Sequence, residues 1–115
     1  IHNSVVYPGT HDNDTAIGWW NKASDKEKQF VAKYLGDESA AKITEINWEF
    51  IQLALASVAD LAILPLQDIL GLDDRARMND PSVNAGNWRW RYESSEMLTP
   101  QLRDRLLEMT QIYSR

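Results

Sequence analysis

The sequence has 115 residues, which is room for one domain with a sizeable core, because 43% of the residues are hydrophobic. The formal net charge of −5 argues against nucleic acid as the main partner, since phosphate binding needs clustered Lys and Arg. The chain contains no cysteine, which excludes disulfides and thiolate metal sites, and no apolar run long enough to span a membrane. The N-terminus lacks an initiator Met and a signal-peptide pattern, so we expect residues 1–115 to be a single segment of a longer protein.

The first predicted element is a short strand over residues 5–7, which ends at Pro8 and Gly9. A continuous run of hydrogen-bonding side chains follows it at residues 10–15. In parallel α/β folds, ligands bind at the carboxyl ends of the strands, so this run predicts a binding site. The alternative interpretation is an Asx-rich turn that caps the next helix.

The segments after this polar run are predicted to be helical. Residues 16–20 form a short helix or helical turn. Ser24 and Glu27 have the spacing of a capping box, which predicts a helix over residues 25–35 that ends at Gly36. The apolar stripe of this helix consists of Phe30, Val31, Tyr34 and Leu35.

The most apolar segment comes after a predicted surface loop at residues 37–43. Thr44 is predicted to cap a second helix of about 15 residues, judged from its apolar periodicity. Its apolar positions are Trp48, Ile51, Leu55, Val58 and Ala59. Residues 61–64 then predict a fully buried strand with Pro65 at its end.

A second polar segment begins at Gln67 and Asp68, directly after the second predicted strand. The stretch from about residue 71 to residue 98 shows no regular pattern, and loops longer than about 12 to 15 residues are uncommon unless they are functional. The chain closes with a helix that Thr99 caps and Pro100 begins. One face of this helix carries Leu102, Leu106, Met109 and Tyr113.

Two strand–helix units with polar residues after both strands predict an α/β fold. Two strands cannot close a sheet, and an eight-stranded barrel of alternating strands and helices typically needs about 250 residues. We therefore expect this chain to be the last part of such a barrel.

Several blocks of residues, in a fixed order, carry a resemblance to a known family. They are Tyr7-Pro8-Gly9-Thr10-His11-Asp12-Asn13-Asp14-Thr15, Gly18-Trp19-Trp20, Pro65-Leu66-Gln67-Asp68, Ala76-Arg77-Met78-Asn79 and Gly86-Asn87-Trp88-Arg89-Trp90-Arg91. Together they resemble the C-terminal part of the 4-α-glucanotransferases (amylomaltase or disproportionating enzyme, glycoside hydrolase family 77). The resemblance implies an α/β chain that provides the C-terminal βα units, about strands 7 and 8 with their helices, of a (β/α)8 TIM barrel that is incomplete in this chain.

The resemblance also implies an activity. The family transfers α-1,4-glucan segments to glucose or maltodextrin acceptors by a retaining double displacement, which needs a nucleophilic carboxylate and a carboxylic acid. In the family, these two groups lie after earlier strands, so the remainder of the barrel is the implied partner and the fragment alone is expected to be inactive. No metal and no organic cofactor are implied. A cytoplasmic location is expected, with a plastid as the other possibility.

Residue by residue, Asp12 matches the family's third essential acid, which stabilises the oxocarbenium-like transition state at the cleavage subsite. His11 matches the neighbouring imidazole, which hydrogen-bonds the same sugar, and Asn79 matches a position that contacts the bound glucan. Asn13 is a further candidate for substrate binding. The chain departs from the family at Pro81-Ser82, where the family usually has a Pro-Gly pair.

Two other functions fit parts of the sequence. His11 and Asp12 form the doublet that metal-dependent phosphohydrolases use as ligands, but the other imidazole, His2, is nine residues upstream across a strand. The second alternative is a non-catalytic carbohydrate-binding or structural fragment, because the implied nucleophile and acid/base are absent from the chain.

The remaining polar and aromatic residues are given structural interpretations. Asp14 is predicted to cap a helix or stabilise a turn, and His2 to lie on the surface. The Arg side chains of the long loop are predicted to hold it through bidentate bonds to Asp and Glu; they are Arg77, Arg89 and Arg91. Four Trp residues are predicted to serve packing, namely Trp19, Trp20, Trp48 and Trp90.

Overall fold

The computed structural model describes residues 3–115, so the surface position predicted for His2 lies outside the described residues. The regular elements are β1 (Val5–Val6), α1 (Ala16–Lys22), α2 (Asp25–Leu35), α3 (Ile46–Ala56), β2 (Leu61–Ala62), α4 (Leu66–Leu70) and α5 (Pro100–Ile112). Single 3-10 turns lie at Ala40–Lys42, Asp74–Ala76 and Ser95–Met97. No helix among residues 3–115 is long and apolar enough to cross a membrane.

The two short strands pair in parallel, with Val5 opposite Leu61 and Val6 opposite Ala62. A parallel pair needs a long crossover, and α1, α2 and α3 provide it. The prediction that residues 61–64 are fully buried is wrong, because Leu61 and Ile63 are 53% and 52% exposed. Only one face of the two-stranded sheet is covered by the helices of this chain, so alternate side chains point away from the core.

The core forms where α3 packs between α4 and α5. Ile51 is fully buried, and Trp48 and Leu55 lie one turn away on either side of it. The apolar face of α5 packs on this cluster, as its periodicity predicts; its side chains are Leu102, Leu106, Met109 and Tyr113. Burying large aliphatic and aromatic side chains in this way is the main stabilising contribution to the fold.

The caps predicted for α2 and α5 are confirmed. The Ser24 hydroxyl accepts from the Glu27 amide at 3.1 Å, the Glu27 carboxylate accepts from the Ser24 amide at 3.2 Å, and Gly36 ends α2 with φ of 82°. Thr99 accepts from the Leu102 amide at 3.2 Å at the start of α5.

The predicted apolar stripe of α2 is wrong in its orientation. Phe30 and Tyr34 are each 72% exposed, whereas Ala32 is buried. The covered side of the helix carries Lys28, Val31, Ala32 and Leu35, which is one side of the same 3.6-residue repeat shifted by part of a turn. The aromatic side chains of α2 therefore face outward in this chain.

The start and end of α3 also differ from the prediction. Glu45, not Thr44, occupies the cap position, and no side chain caps this end. The Glu45 carboxylate instead accepts a bidentate pair of hydrogen bonds from the Arg105 guanidinium of α5, and the Nη1 to Oε1 distance is 3.1 Å. The helix has 11 residues and ends at Ala56, so Val58 and Ala59 lie beyond it, where Ser57 has extended backbone.

Of the four Trp residues assigned to packing, Trp19, Trp20 and Trp48 contact other side chains. The Trp19 ring lies 6.0 Å from that of Phe50 and 6.4 Å from that of Trp20. Trp48 is buried, and the Arg105 guanidinium lies 4.2 Å from its ring centroid. These contacts join the crossover helices to α5.

Candidate functional site

Three of the residues predicted to form the site come together at the carboxyl ends of the paired strands. Asn79 lies 67 positions after Asp12, and its Nδ2 donates to Asp12 Oδ1 at 2.6 Å. The Asn79 amide also donates to the His11 carbonyl at 3.1 Å. The polar run after β1 and the long loop after α4 are therefore joined through Asp12, His11 and Asn79.

The Asp12 carboxylate is held on one oxygen. His11 Nε2 lies 3.3 Å from Asp12 Oδ1, the same oxygen that Asn79 contacts. Asp12 Oδ2 has no hydrogen-bond partner among residues 3–115, and the side chain is 50% exposed. One oxygen is thus oriented by protein groups, and the other is open to an external donor such as a hydroxyl group.

The His11 ring is held between Asp12 and an aromatic side chain. The Trp88 ring lies 5.1 Å from the His11 ring, tilted by 38°. Trp88 itself has φ of 65°, a left-handed conformation that is rare for a bulky residue, and its amide donates to the Met78 carbonyl at 2.6 Å. Such strained conformations persist only where the surrounding structure holds them, and they cluster at functional sites.

Asn13 serves the turn itself. Its Oδ1 accepts from the Thr10 amide at 2.7 Å and from the Thr10 hydroxyl at 3.0 Å. The side-chain oxygen is therefore committed to closing the polar run. Asn13 is nonetheless one of the residues that line the adjacent cavity.

A cavity of about 500 Å³ opens beside this group of residues. Its walls come from both strand ends; they include Tyr7, Thr10, His11, Asn13, Asp14, Ile63, Pro65, Gln67, Asp68, Arg77 and Met78. A second cavity of about 600 Å³ shares His11 and Met78 and is otherwise lined by Trp88, Trp90, Arg91 and Tyr92. Asp12 lines neither cavity, but it contacts His11, which lines both.

Asp68, in the second polar segment, connects the helices next to the site. It is buried, and its Oδ1 accepts from the Ala16 amide at the start of α1 at 2.8 Å. Burial raises the pKa of the Asp68 carboxyl, and the Ala16 hydrogen bond opposes this shift. Asn47 of α3 donates to the Asp68 carbonyl at 2.8 Å, so Asp68 ties α1 and α3 to α4.

Asp14 stabilises the turn but is not the helix cap. Thr15 is the cap of α1, and its hydroxyl accepts from the Gly18 amide at 3.0 Å. Asp14 Oδ1 accepts from the Thr15 amide at 2.8 Å, while Oδ2 lies 3.0 Å from Lys22 Nζ. The prediction that Asp14 caps a helix or stabilises a turn is therefore confirmed in its second alternative.

The prediction of bidentate bonds to Asp and Glu is wrong for Arg77 and Arg91, whose guanidinium groups bind backbone carbonyls, although Arg77 also lies 3.6 Å from Asp80. Arg77 Nε donates to the Asn79 carbonyl at 2.9 Å, and its Nη2 donates to the Asp12 carbonyl at 2.8 Å. Arg91 Nη1 donates to the carbonyls of Trp88 and Trp90 at 3.1 and 2.7 Å. Sequence reasoning missed the contact of Arg77 with Asp12, because nothing in the local pattern indicates a partner 65 positions away.

The turn after Asn79 contains Pro81-Ser82, where the family usually has a Pro-Gly pair, and side-chain hydrogen bonds close it. The Ser82 amide and hydroxyl both donate to Asp80 Oδ1, at 2.9 and 2.6 Å. The Asp80 amide donates to Asn87 Oδ1 at 2.8 Å. This turn is therefore closed by side chains next to Asn79. Within residues 3–115, no cluster of three or more His, Cys, Asp or Glu could hold a metal ion.

The fold defines the class of protein to which the chain belongs: α/β proteins with polar residues after parallel strands. The chain belongs to the Glyco_hydro_77 family, 4-alpha-glucanotransferase, whose family profile matches residues 1–98.

Relatives at high identity cover nearly the whole chain. It is 50% identical to the chloroplastic/amyloplastic 4-alpha-glucanotransferase of Oryza sativa subsp. japonica, over 98% of this chain and 19% of that protein. It is 44% identical to the 4-alpha-glucanotransferase of Thermus thermophilus, over 96% of this chain and 22% of that protein. This chain thus spans about a fifth of the length of the curated relatives it matches.

A solved structure has the same fold over this region. The amylomaltase from Streptococcus agalactiae, determined in complex with acarbose, matches 96% of this chain with a TM-score of 0.86 and 32% sequence identity. The match covers 22% of the amylomaltase chain, so the present chain adopts a part of that protein's fold.

Proposed function

We propose that this chain, within the full-length protein that carries it, forms part of the glucan cleft of a 4-α-glucanotransferase. In this proposal Asp12 stabilises the transition state, His11 and Asn79 orient Asp12 and contact the same glucan, and Asn13 contributes to the cleft wall. The observation that carries the proposal is the contact of His11 and Asn79 with a single oxygen of Asp12 at the ends of the paired strands. The family to which the chain belongs supplies the reaction class.

The chemistry follows from a carboxylate with one free oxygen. As a glycosidic bond breaks, positive charge develops on the sugar ring and its hydroxyl groups become better hydrogen-bond donors. A fixed carboxylate therefore binds the transition state more tightly than the ground state. Because Asn79 and His11 already orient Oδ1, little reorganisation is needed when Oδ2 of Asp12 accepts a hydroxyl.

The retaining double displacement also needs a nucleophile and an acid/base about 5 to 5.5 Å apart. We expect both to lie outside residues 1–115, after earlier strands of a (β/α)8 barrel in which β1 and β2 are about strands 7 and 8. The parallel register of these strands supports this assignment, as does the exposed side of β2. The acceptor is expected to be glucose or a maltodextrin, and the protein is expected to act in the cytoplasm or in a plastid.

The test uses the full-length protein with maltotriose as the substrate. We expect release of glucose and formation of longer maltodextrins without added metal. Asp12→Asn should lower kcat by on the order of 10² to 10³, with a smaller effect on KM, by analogy with the loss of one preorganised electrostatic group. The isolated 115-residue chain should show no such activity.

Asp104→Asn is the matched control, since Asp104 is an exposed carboxylate on α5 that contacts Arg103. It should leave kcat unchanged. Unchanged turnover in Asp12→Asn would remove Asp12 from the catalytic set, and hydrolysis of phosphate esters that depends on a divalent metal would refute the proposed function.

A further inference from the structure

We propose that Arg77 is a positioning residue of this site, which holds the Asp12 and Asn79 backbones in register with each other. The inference rests on the proposed function, because it assigns Arg77 a role in the same site. Arg77 is among the residues that line the cavity beside the site, but the role inferred for it is to position Asp12 and Asn79, not to bind the substrate.

The Arg77 guanidinium bridges the two loops that build the site. Its Nη2 donates to the Asp12 carbonyl at 2.8 Å, and its Nε donates to the Asn79 carbonyl at 2.9 Å. The two contacted carbonyls belong to the two residues whose side chains meet at 2.6 Å. One planar group therefore sets the spacing between the backbones that carry this side-chain contact.

The third nitrogen of the guanidinium lies beside the Asp80 carboxylate. Arg77 Nη1 lies 3.6 Å from Asp80 Oδ2. Asp80 is itself held by Ser82, whose hydrogen bonds, together with the positive charges of Arg77 and Lys22, keep the pKa of the Asp80 carboxyl below its ordinary value. A charged carboxylate thus remains beside the guanidinium near neutral pH and adds an ion pair to its two hydrogen bonds.

The long loop depends on side-chain contacts such as those of Arg77, because it has little regular structure. Between α4 and α5 its regular structure is limited to two single 3-10 turns. Among residues 3–115 no strand pairing includes Asn79, so its position depends on side-chain bonds, on the backbone bond to His11 and on the bond from the Trp88 amide to the neighbouring Met78 carbonyl. A displacement of about 1 Å at a catalytic group can lower the rate by about 10².

Arg75 offers a contrast within the same segment. Its side chain is 88% exposed, against 24% for Arg77, and its ion pair is with Asp73, two positions away. Arg75 therefore tests the loss of a positive charge near the site without the loss of the contacts of Arg77. Lysine at position 77 would keep the charge, but a single ammonium cannot reproduce the fork that reaches two carbonyls.

The experiment measures kcat and KM for maltotriose disproportionation in four full-length proteins: wild type, Arg77→Ala, Arg77→Lys and Arg75→Ala. We expect kcat to fall by about 10- to 100-fold in both Arg77 variants, with KM changing less than kcat. Arg75→Ala should stay within twofold of the wild type. Low millimolar guanidinium chloride should restore part of the kcat of Arg77→Ala, whereas sodium chloride at the same ionic strength should not.

Full activity in Arg77→Lys would overturn the inference, because charge alone would then suffice. Equal losses in Arg75→Ala and Arg77→Ala would overturn it as well. If Arg77→Ala does not fold, Arg77→Lys and its thermal midpoint decide the question. Asp12→Asn separates the two proposals: loss of activity there with full activity in the Arg77 variants refutes only the role of Arg77, and full activity in Asp12→Asn refutes the proposed function.

Discussion

The contact between Asn79 and Asp12 makes a sharp prediction for Asn79→Asp in the full-length protein. Asn79 Nδ2 donates to Asp12 Oδ1 at 2.6 Å, so the substitution places two carboxyl groups within hydrogen-bond distance. Two carboxylates so close titrate as a pair, and one of them has a raised pKa. While one proton is shared, the new carboxyl can donate to Asp12 as the amide does.

Activity should fall when the pair of carboxyl groups loses its last proton, because the two carboxylates then repel each other. Two unit charges about 4 Å apart repel by about 1 kcal/mol in water and by about 4 kcal/mol near a protein surface. Because about 1.4 kcal/mol corresponds to a factor of ten, the activity of Asn79→Asp relative to the wild type should fall about 5- to 1000-fold between acidic and alkaline pH.

The assay is the pH dependence of kcat/KM for maltotriose in the wild type, Asn79→Asp and Asn79→Leu. The leucine variant has a similar size and no donor, so its deficit relative to the wild type should not depend on pH. If Asn79→Asp shows a ratio that is constant across the pH range, the Asp12–Asn79 contact does not operate in the working enzyme, and the reasoning is refuted.

Two further predictions concern stability, and both are measured as thermal midpoints of the full-length protein. A Cβ at Gly18 would lie 2.3 Å from Asp14 Oδ1, so Gly18→Ala should destabilise by about 1 to 3 kcal/mol, and Asp14→Ala in the same chain should recover part of the loss. Equal midpoints for Gly18→Ala and the wild type would contradict this steric argument. Asp68 has a raised pKa in the folded state, so its ionisation lowers stability as the pH rises from its ordinary value through the raised one. Asp68→Asn keeps an oxygen acceptor for the Ala16 amide and removes the charge. Its midpoint relative to the wild type should therefore rise with pH, and a relative midpoint that falls with pH would contradict the assignment.

The sequence predicted some residues of the candidate site better than others. His11 and Asp12 stand in a polar run after a strand, and the structure brings both beside Asn79. The resemblance to a family was needed to single out Asn79, since an Asn in a long irregular loop carries no local signal. The roles of Arg77 and Asp68 were missed, because each depends on a backbone group more than 50 positions away.

Local chemistry explains the elements that the sequence determined by itself. The capping box of α2, its end at Gly36 and the Thr99-Pro100 start of α5 involve residues within a turn of one another, so the pattern alone specifies them. Tertiary structure decided the rest. The sheet has one covered face in this chain, so Leu61 and Ile63 are exposed, and the engagement of Glu45 with Arg105 leaves α3 without a side-chain cap. The site itself exists only because parallel pairing brings two loops to the same edge, where one guanidinium can bind both.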